Sequence, residues 1–135
     1  MPGSFIDTNV LVYLASSDAA KAHRAEEILR KGGSVSVQVL NELAHVLRRK
    51  AGLSWAETRS FLSAVGNVVT IHPVTMEIHE TGLALAERYR LSTYDAMIAA
   101  SAIHADCERL WSEDMQHGMV IDGRLRLASP FLTAD

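Results

Sequence analysis

The sequence predicts an α/β fold in which helices cover both faces of a central, mostly parallel β-sheet. Short runs of apolar and β-branched residues alternate along the chain with amphipathic segments, and no internal repeat, low-complexity tract or Pro/Gly-rich linker interrupts them. The 135 residues, 48% of them hydrophobic, are enough to form one sizeable core. We therefore expect one domain, residues 1–135, built as a three-layer α/β/α sandwich.

In the first half of the chain, each predicted strand is followed directly by a helix. Asp7, Thr8 and Asn9 follow the first strand and supply side chains that can cap the next helix. Gly32-Gly33 ends the second helix, and apolar residues at helical spacing mark the third. The predicted elements in order are strand 4–6, a helix beginning over 10–14, helix 21–31, strand 34–37 and helix 39–50.

The second half continues this alternation. Ser54 and Glu57 have the spacing of a capping box, and Ser92-Thr93 can cap an alanine-rich helix with Asp95 in its first turn. The predicted elements in order are a helix from 54 through 65, strand 68–71, helix 75–90, helix 94–105, strand 109–112 and a last short strand 119–121. Right-handed crossovers would bring the carboxyl ends of the parallel strands to one edge, where such sheets bind ligands.

The composition argues against a membrane or secreted protein. No run reaches the roughly 18 apolar residues of a membrane span, and residues 1–6 lack the features of a secretory signal. Cys107 is the sole cysteine, so we expect no disulfide and interpret this residue as part of the core. The expected location is the cytoplasm.

The net charge of −3 bears on a nucleic-acid partner, because phosphate binding usually requires a basic surface. If four candidate metal-binding acids are set aside, the rest of the chain is near neutral, so nucleic acid is permitted rather than predicted. Runs of basic residues this short are more often solvated faces, although they could contact phosphate. They are Arg48-Arg49-Lys50, Arg88 with Arg90, and Arg124 with Arg126.

Four acids are candidates for a divalent-metal site. Asp7 ends the first strand at the ligand edge of the sheet, although helix capping is the ordinary role of such a residue. Glu42 lies at the edge of an apolar stripe, and Asp95 shares its helix face with apolar residues that make an unpaired carboxylate costly. Asp114 is the least distinctive, and from the residues alone the neighbouring Glu113 fits equally well.

The combination of four acids has a chemical rationale. Converging carboxylates repel one another, whereas Mg²⁺ or Mn²⁺ prefers such hard oxygen ligands and also binds phosphate. A metal held in this way can activate water and stabilise the charge that develops during in-line phosphodiester hydrolysis. Asn9 and Ser112 are placed to orient ligands or water. The pattern therefore indicates metal-dependent phosphodiester cleavage.

Four segments, in this order and spacing, resemble the PIN-domain ribonucleases, especially the toxin component of VapBC-type toxin–antitoxin pairs. The segments are Phe5–Leu11, Ser36–Leu43, Ser92–Ile98 and Leu110–Met115. The resemblance covers nearly the whole chain and implies a PIN-like fold. It also implies an endoribonuclease that uses Mg²⁺ or Mn²⁺, forms a homodimer and is silenced by a cognate antitoxin covering the site.

The same resemblance implies roles for individual residues. The acidic quartet of the family maps onto Asp7, Glu42, Asp95 and Asp114, and its strand-end hydroxyl maps onto Ser112. This mapping favours Asp114 over Glu113. Gln116 stands where many relatives carry an acidic residue or Asn, so a fifth contribution to a second metal ion stays open.

Two alternatives predict different chemistry. An aspartyl-nucleophile phosphatase expects a second Asp two residues after the first, where this chain has Asn9, and also needs a Lys at a strand end. A non-catalytic α/β binding module would use the acids as caps and surface charges and would not respond to metal. The six histidines lack zinc-binding spacing, and we assign Trp55 and Trp111 to the core rather than to base stacking.

Overall fold

A computed structural model describes residues 3–132 of the chain, so the predicted domain limits, residues 1 and 135, lie outside the described residues. The strands are β1 (Gly3–Ile6), β2 (Ser34–Ser36), β3 (Thr70–His72), β4 (Cys107–Trp111), β5 (Val120–Ile121) and β6 (Leu125–Ala128). The helices are α1 (Thr8–Val12), α2 (Ala19–Arg30), α3 (Val37–Arg49), α4 (Trp55–Gly66), α5 (Met76–Tyr89) and α6 (Thr93–His104). A 3₁₀ turn, Tyr13–Ala15, follows α1.

The strands form one sheet in the order β3-β2-β1-β4-β6-β5. All neighbouring strands are parallel except β5 and β6, which pair antiparallel. Ile6 at the end of β1 pairs with Trp111 at the end of β4, so the residues that follow these two strands lie side by side. The predicted mostly parallel α/β fold is confirmed.

The helices begin at capping side chains, and those of α1, α4 and α6 lie at the predicted residues Asp7, Ser54 and Ser92. The hydroxyls of Ser36, Thr75 and Ser92 each accept a backbone N–H from the first turn of α3, α5 and α6. At α4 both bonds of the predicted capping box form between Ser54 and Glu57, at 2.8 and 3.1 Å. Each cap satisfies amide groups that the helix itself leaves unpaired, so the chain enters each helix at a defined residue.

Helix α6 is held in the middle of the core. All of its residues from Ala96 to Ile103 are buried, and it makes its most extensive contacts with α5. Gly82 of α5 allows the close approach, because a Cβ added there would lie 2.5 Å from the Sδ atom of Met97. Packing against α5 and the sheet therefore sets the position of the first turn of α6.

Several expectations need correction. Trp55 is 60% exposed, with the Arg48 guanidinium 4.2 Å above its ring, so its assignment to the core was wrong; Trp111, 3% exposed, is in the core as expected. Strand β3 covers residues 70–72 rather than 68–71, and the second strand ends at Ser36 because that residue caps α3. Strand β6 was not predicted, although it lies between β4 and β5. Within residues 3–132 the model contains no helix long and apolar enough to cross a membrane.

Candidate functional site

A cleft of about 790 Å³ opens beyond the carboxyl ends of β1 and β4. Residues from α1, α3, α6 and the segment after β4 line it. Its acidic lining residues are Asp7, Glu42, Asp95, Glu113 and Asp114. The structure thus brings all four predicted acids to one cleft and leaves Gln116 outside its lining.

Asp7 is the most tightly held of these acids. Its backbone N–H donates to the Trp111 carbonyl at 2.9 Å, and its buried carboxylate accepts from the backbone N–H of Thr8 at 2.7 Å and from the Ser112 hydroxyl at 2.8 Å. Burial raises the pKa of Asp7 to about 6, although the bonds from Ser112 and Thr8 lower it; the nearby charges of Asp95 and Glu42 raise it further. Asp7 therefore caps α1 and also presents a carboxylate to the cleft.

Asn9 and Ser112 form a clamp beside Asp7. The Asn9 amide nitrogen lies 3.3 Å from both the Asp7 Oδ2 atom and the Ser112 Oγ atom. The amide oxygen of Asn9 accepts the backbone N–H of Glu113 at 3.0 Å. Both residues thus lie beside a candidate ligand, where the sequence analysis expected them, and they connect the end of β1 to the end of β4.

Glu42 is held by two residues that the sequence analysis did not identify. Its Oε1 atom accepts from the Thr8 hydroxyl at 3.1 Å, and its Oε2 atom accepts from the Gln38 amide at 2.9 Å. Gln38 lies one helical turn before Glu42, a spacing at which side chains on a helix meet. That spacing could have identified Gln38, whereas the contact with Thr8 depends on the packing of α1 against α3.

Asp95 and Asp114 occupy the more open part of the cleft. Partial burial raises the pKa of Asp95, the Ser92 side chain lowers it, and the charges of Asp114 and Glu42 raise it again. Asp114 is exposed, and its carboxylate accepts no hydrogen bond from any residue in the part of the chain that the structure describes. The four acids are therefore close enough to influence one another electrostatically, as the sequence analysis expected.

Glu113 also lines the cleft, but its carboxylate is bound to other residues. The Tyr13 hydroxyl donates to Oε1 at 2.7 Å, and the Lys21 ammonium lies 2.9 Å from Oε2 and 3.2 Å from the Tyr13 oxygen. Burial raises the pKa of Glu113, but the bonds from Tyr13 and Lys21 outweigh it and leave the pKa below its ordinary value. The two adjacent acids thus differ: Glu113 is neutralised by Lys21, and Asp114 is not.

Residues 4–118 match the model of the PIN domain family. The chain belongs to the PIN domain family. This membership confirms the resemblance proposed from the four sequence segments, and a search of curated proteins gave no significant match.

Several solved structures of other proteins share the fold of this PIN domain over most of their length. The Mycobacterium tuberculosis toxin VapC20, described as cleaving the sarcin–ricin loop, is 21% identical, with a TM-score of 0.65 over 82% of this chain and 89% of its own. A toxin–antitoxin complex from Klebsiella pneumoniae is 22% identical, with a TM-score of 0.72 over 94% and 97%. VapBC2 from Rickettsia felis, bound to a promoter DNA fragment, is 18% identical, with a TM-score of 0.67 over 92% and 97%.

The donor atoms of this PIN domain fit a hard divalent cation better than zinc. The five acidic lining residues offer only oxygen, and His45 at the edge of the same cleft is the one imidazole in its lining. Within residues 3–132 no three acidic, His or Cys side chains come close enough to enclose a metal by themselves. An open arrangement of this kind suits Mg²⁺, which keeps several waters and binds through one or two carboxylates.

Proposed function

We propose that the protein is a metal-dependent endoribonuclease and the toxin of a toxin–antitoxin pair. The observation that carries this proposal is the convergence of Asp7, Glu42, Asp95 and Asp114 on one cleft, where burial and mutual repulsion raise the pKa of Asp7 and Asp95. Placing like charges together in a partly buried site is unfavourable unless a cation compensates them.

In this proposal the four carboxylates hold Mg²⁺ or Mn²⁺, with Asp7 and Asp95 as the principal ligands. When bound, such an ion supplies an activated water and stabilises negative charge on the phosphate and the leaving oxygen. Ser112 and Asn9 orient the Asp7 carboxylate. Thr8 and Gln38 do the same for Glu42.

The α3 region of the cleft gives the substrate a place to bind. Asn41, His45 and Lys50 line it, and Lys50 brings a positive charge to a cleft whose other charged lining residues are acids. An RNA phosphate adjacent to the scissile one can contact Lys50 while the scissile phosphate lies near the acids. The Lys50 ammonium thus contributes to binding and not to the chemical step.

The toxin assignment rests on family membership and on the solved relatives. The M. tuberculosis relative is described as a toxin that cleaves the sarcin–ricin loop, that from K. pneumoniae as a toxin–antitoxin complex, and that from R. felis as VapBC2 bound to promoter DNA. We propose by analogy an RNA substrate and a cognate antitoxin for this chain. Homodimer formation and a cytoplasmic location are part of the proposal as implications of the family resemblance alone.

Cleavage of RNA by the purified protein tests the catalytic part. We expect cleavage with Mg²⁺ or Mn²⁺, none in excess chelator, and none by Asp95→Asn or Glu42→Gln because each removes a proposed ligand charge. Glu87→Gln, which neutralises an exposed glutamate of α5 outside the cleft, is the matched control and should cleave normally. Activity that resists the chelator, or full activity of Asp7→Ala or Asp95→Asn, would contradict the proposed site.

The alternative of a non-catalytic binding module predicts a different metal response. For the proposed enzyme, Mg²⁺ or Mn²⁺ should raise the melting temperature, and Asp95→Asn should reduce that rise because a ligand that binds the folded state stabilises it. A module whose acids are only caps and surface charges would show neither effect. The toxin role is tested by expression in a bacterial host, where the unchanged gene should arrest growth and the Asp95→Asn form should not.

A further inference from the structure

Two arginines are direct neighbours on adjacent strands of the sheet. Arg109 of β4 and Arg126 of β6 are paired in the parallel register, so both side chains extend from the same face of the sheet. Like charges at directly opposed strand positions destabilise a sheet. The pair therefore concentrates positive charge on this face of the sheet.

This half of the sheet has two very different faces. On one face Leu110, Leu125 and Leu127 are fully buried in the core. On the other face Arg24 of α2 lies 5.3 Å and Arg109 of β4 lies 4.7 Å from the centroid of the Trp111 ring. Beyond Trp111 the face is open, because Arg126 and Val120 are exposed.

The open face forms a shallow hollow of about 350 Å³. Its lining residues are Glu108, Arg109, Val120, Gly123, Arg124 and Arg126. Lys31, at the end of α2, lines an adjoining depression together with Arg109. We call Lys31, Arg109, Arg124 and Arg126 the basic face.

Two acids partly offset this charge. Glu108 lines the hollow as the extra residue of a bulge in β4, since Gly3 pairs with Cys107 and Ser4 with Arg109. Asp106 lies 3.5 Å from the Arg124 guanidinium, but both side chains are largely exposed and such a pair is weak. Within residues 3–132 the four cations of the basic face outnumber these two acids, whereas acids predominate in the lining of the cleft.

We propose that the basic face binds the sugar–phosphate backbone of the RNA substrate outside the cleft. This inference rests on the proposed nuclease function. Arg109 of β4 lies three residues before Ser112, which follows the strand at the cleft, so about 10 Å of extended chain separates them. An RNA whose scissile phosphate lies in the cleft can thus reach the basic face with flanking nucleotides. The face supplies attraction that the acidic cleft does not, and guanidinium groups are suited to phosphate oxygens.

Salt-dependent RNA binding by the full-length protein tests this surface. A fluorescein-labelled RNA hairpin with single-stranded flanks is titrated in excess chelator, so that binding is measured without cleavage. For Arg126→Gln we expect the slope of log Kd against log salt to become shallower by about 0.7, the value for one lost phosphate contact in single-stranded RNA. If both affinities converge near 1 M salt, the variant binds about eightfold more weakly at about 50 mM.

Matched variants distinguish a phosphate contact made by Arg126 from a general effect of the protein's charge on RNA binding. Arg59→Gln removes the same charge from an exposed position on α4, outside the basic face, and should leave the slope unchanged. Arg126→Lys keeps the charge and should restore most of the slope. Melting temperatures of all three variants establish that they fold.

Several results would overturn the proposal. They are an unchanged slope in Arg126→Gln, an equal change in Arg59→Gln, or undetectable RNA binding by the unchanged protein at low salt. An acidic protein partner that binds the basic face while RNA affinity is unaffected would give the first of these results. Because the titration needs no cleavage, its failure is distinct from failure of the nuclease proposal, which the chelator and Asp95→Asn assays test.

Discussion

The two sides of the acidic cleft are built differently. On the side formed by β1 and β4, Asp7 is buried and hydrogen-bonded to Thr8 and Ser112. In the more open part of the cleft, Asp95 is half-buried and Asp114 is exposed with no hydrogen-bond donor in the described chain. The difference shows that one half of the proposed metal site is positioned before any cation binds. The other half is free to adjust to the cation and to the substrate.

The adjacent acids Glu113 and Asp114 provide the strongest test of this comparison. We expect Asp114→Asn to lower RNA cleavage by about 100-fold or more, because a proposed ligand loses its charge. Glu113→Gln should lower cleavage by about tenfold or less, because it weakens only the contact with Lys21 and Tyr13, which steadies the segment. Single-turnover rates at saturating Mn²⁺ measure both. A larger loss for Glu113→Gln than for Asp114→Asn would reverse the assignment.

The buried side of the cleft predicts a pH effect on stability without metal. Folding raises the pKa of Asp7 from 3.8 to about 6, so the protonated form is favoured in the folded state. The resulting stabilisation, about 3 kcal/mol in full, is present below about pH 4 and is lost as the pH rises through 6.

Asp7→Asn removes this titration. We expect the free energy of unfolding of Asp7→Asn, relative to the unchanged protein, to increase by about 1 kcal/mol between about pH 5 and pH 8. Urea unfolding in excess chelator measures it, with Glu87→Gln as the control that should show no such increase. A relative stability that falls over this range would mean that Asp7 is stabilised as a carboxylate.

Ser112→Ala tests how far the position and pKa of the Asp7 carboxylate depend on the clamp formed by Asn9 and Ser112. The Ser112 hydroxyl lowers the pKa of Asp7, so its removal should raise that pKa further, as measured by NMR titration of the metal-free protein. Loss of this orienting bond should also weaken Mn²⁺ binding by about tenfold. Ser129→Ala, a buried serine outside the cleft lining, is the control. An unchanged Asp7 pKa would show that the clamp does not act on this carboxylate.

The smallest effect is expected from a change in the packing of α5 against α6, the helix that carries Asp95. In Gly82→Ala the new Cβ displaces the flexible Met97 side chain, so the overpacking cost should lie near the low end of about 1–3 kcal/mol. Helix propensity returns about 1 kcal/mol, which leaves a net loss below about 1 kcal/mol. Ala84→Gly, at an exposed position of α5, reports the propensity alone. Any shift of α6 should alter the pKa of Asp95 more than that of Asp7, because the charge of Asp95 is only a minor cause of the raised pKa of Asp7; NMR titration detects this contrast.

Local sequence patterns were sufficient for much of the fold. The capping box at Ser54, the cap at Ser92 and the apolar run before Asp7 each depend on near neighbours in the chain, and each element begins close to its predicted position. The position of Asp95 in the first turn of α6 follows from the same local rule. These features were predictable because short-range hydrogen bonds determine them.

Features that depend on tertiary contacts were not predictable. Trp55 was assigned to the core from its apolar character, but the position of α4 against α3 leaves it under Arg48 at the surface. The difference between Glu113, which is bound to other side chains, and the unpaired Asp114 depends on Tyr13 and Lys21. These two residues lie about 90 to 100 positions away in the chain. Strand β6 had a local signal that was not used: alternation of Leu125, Arg126 and Leu127, which was interpreted only as part of a basic cluster.

The place of β6 in the sheet has a consequence for how the chain acquires its structure during synthesis. Strand β4 carries the segment that completes the cleft, yet one of its edges pairs only with Leu125–Ala128. A ribosome-bound chain that has emerged only as far as Asp114 therefore has every candidate ligand but an unpaired edge on β4. Open edges of this kind favour pairing with other chains. The last strand thus closes an edge that would otherwise be prone to aggregation.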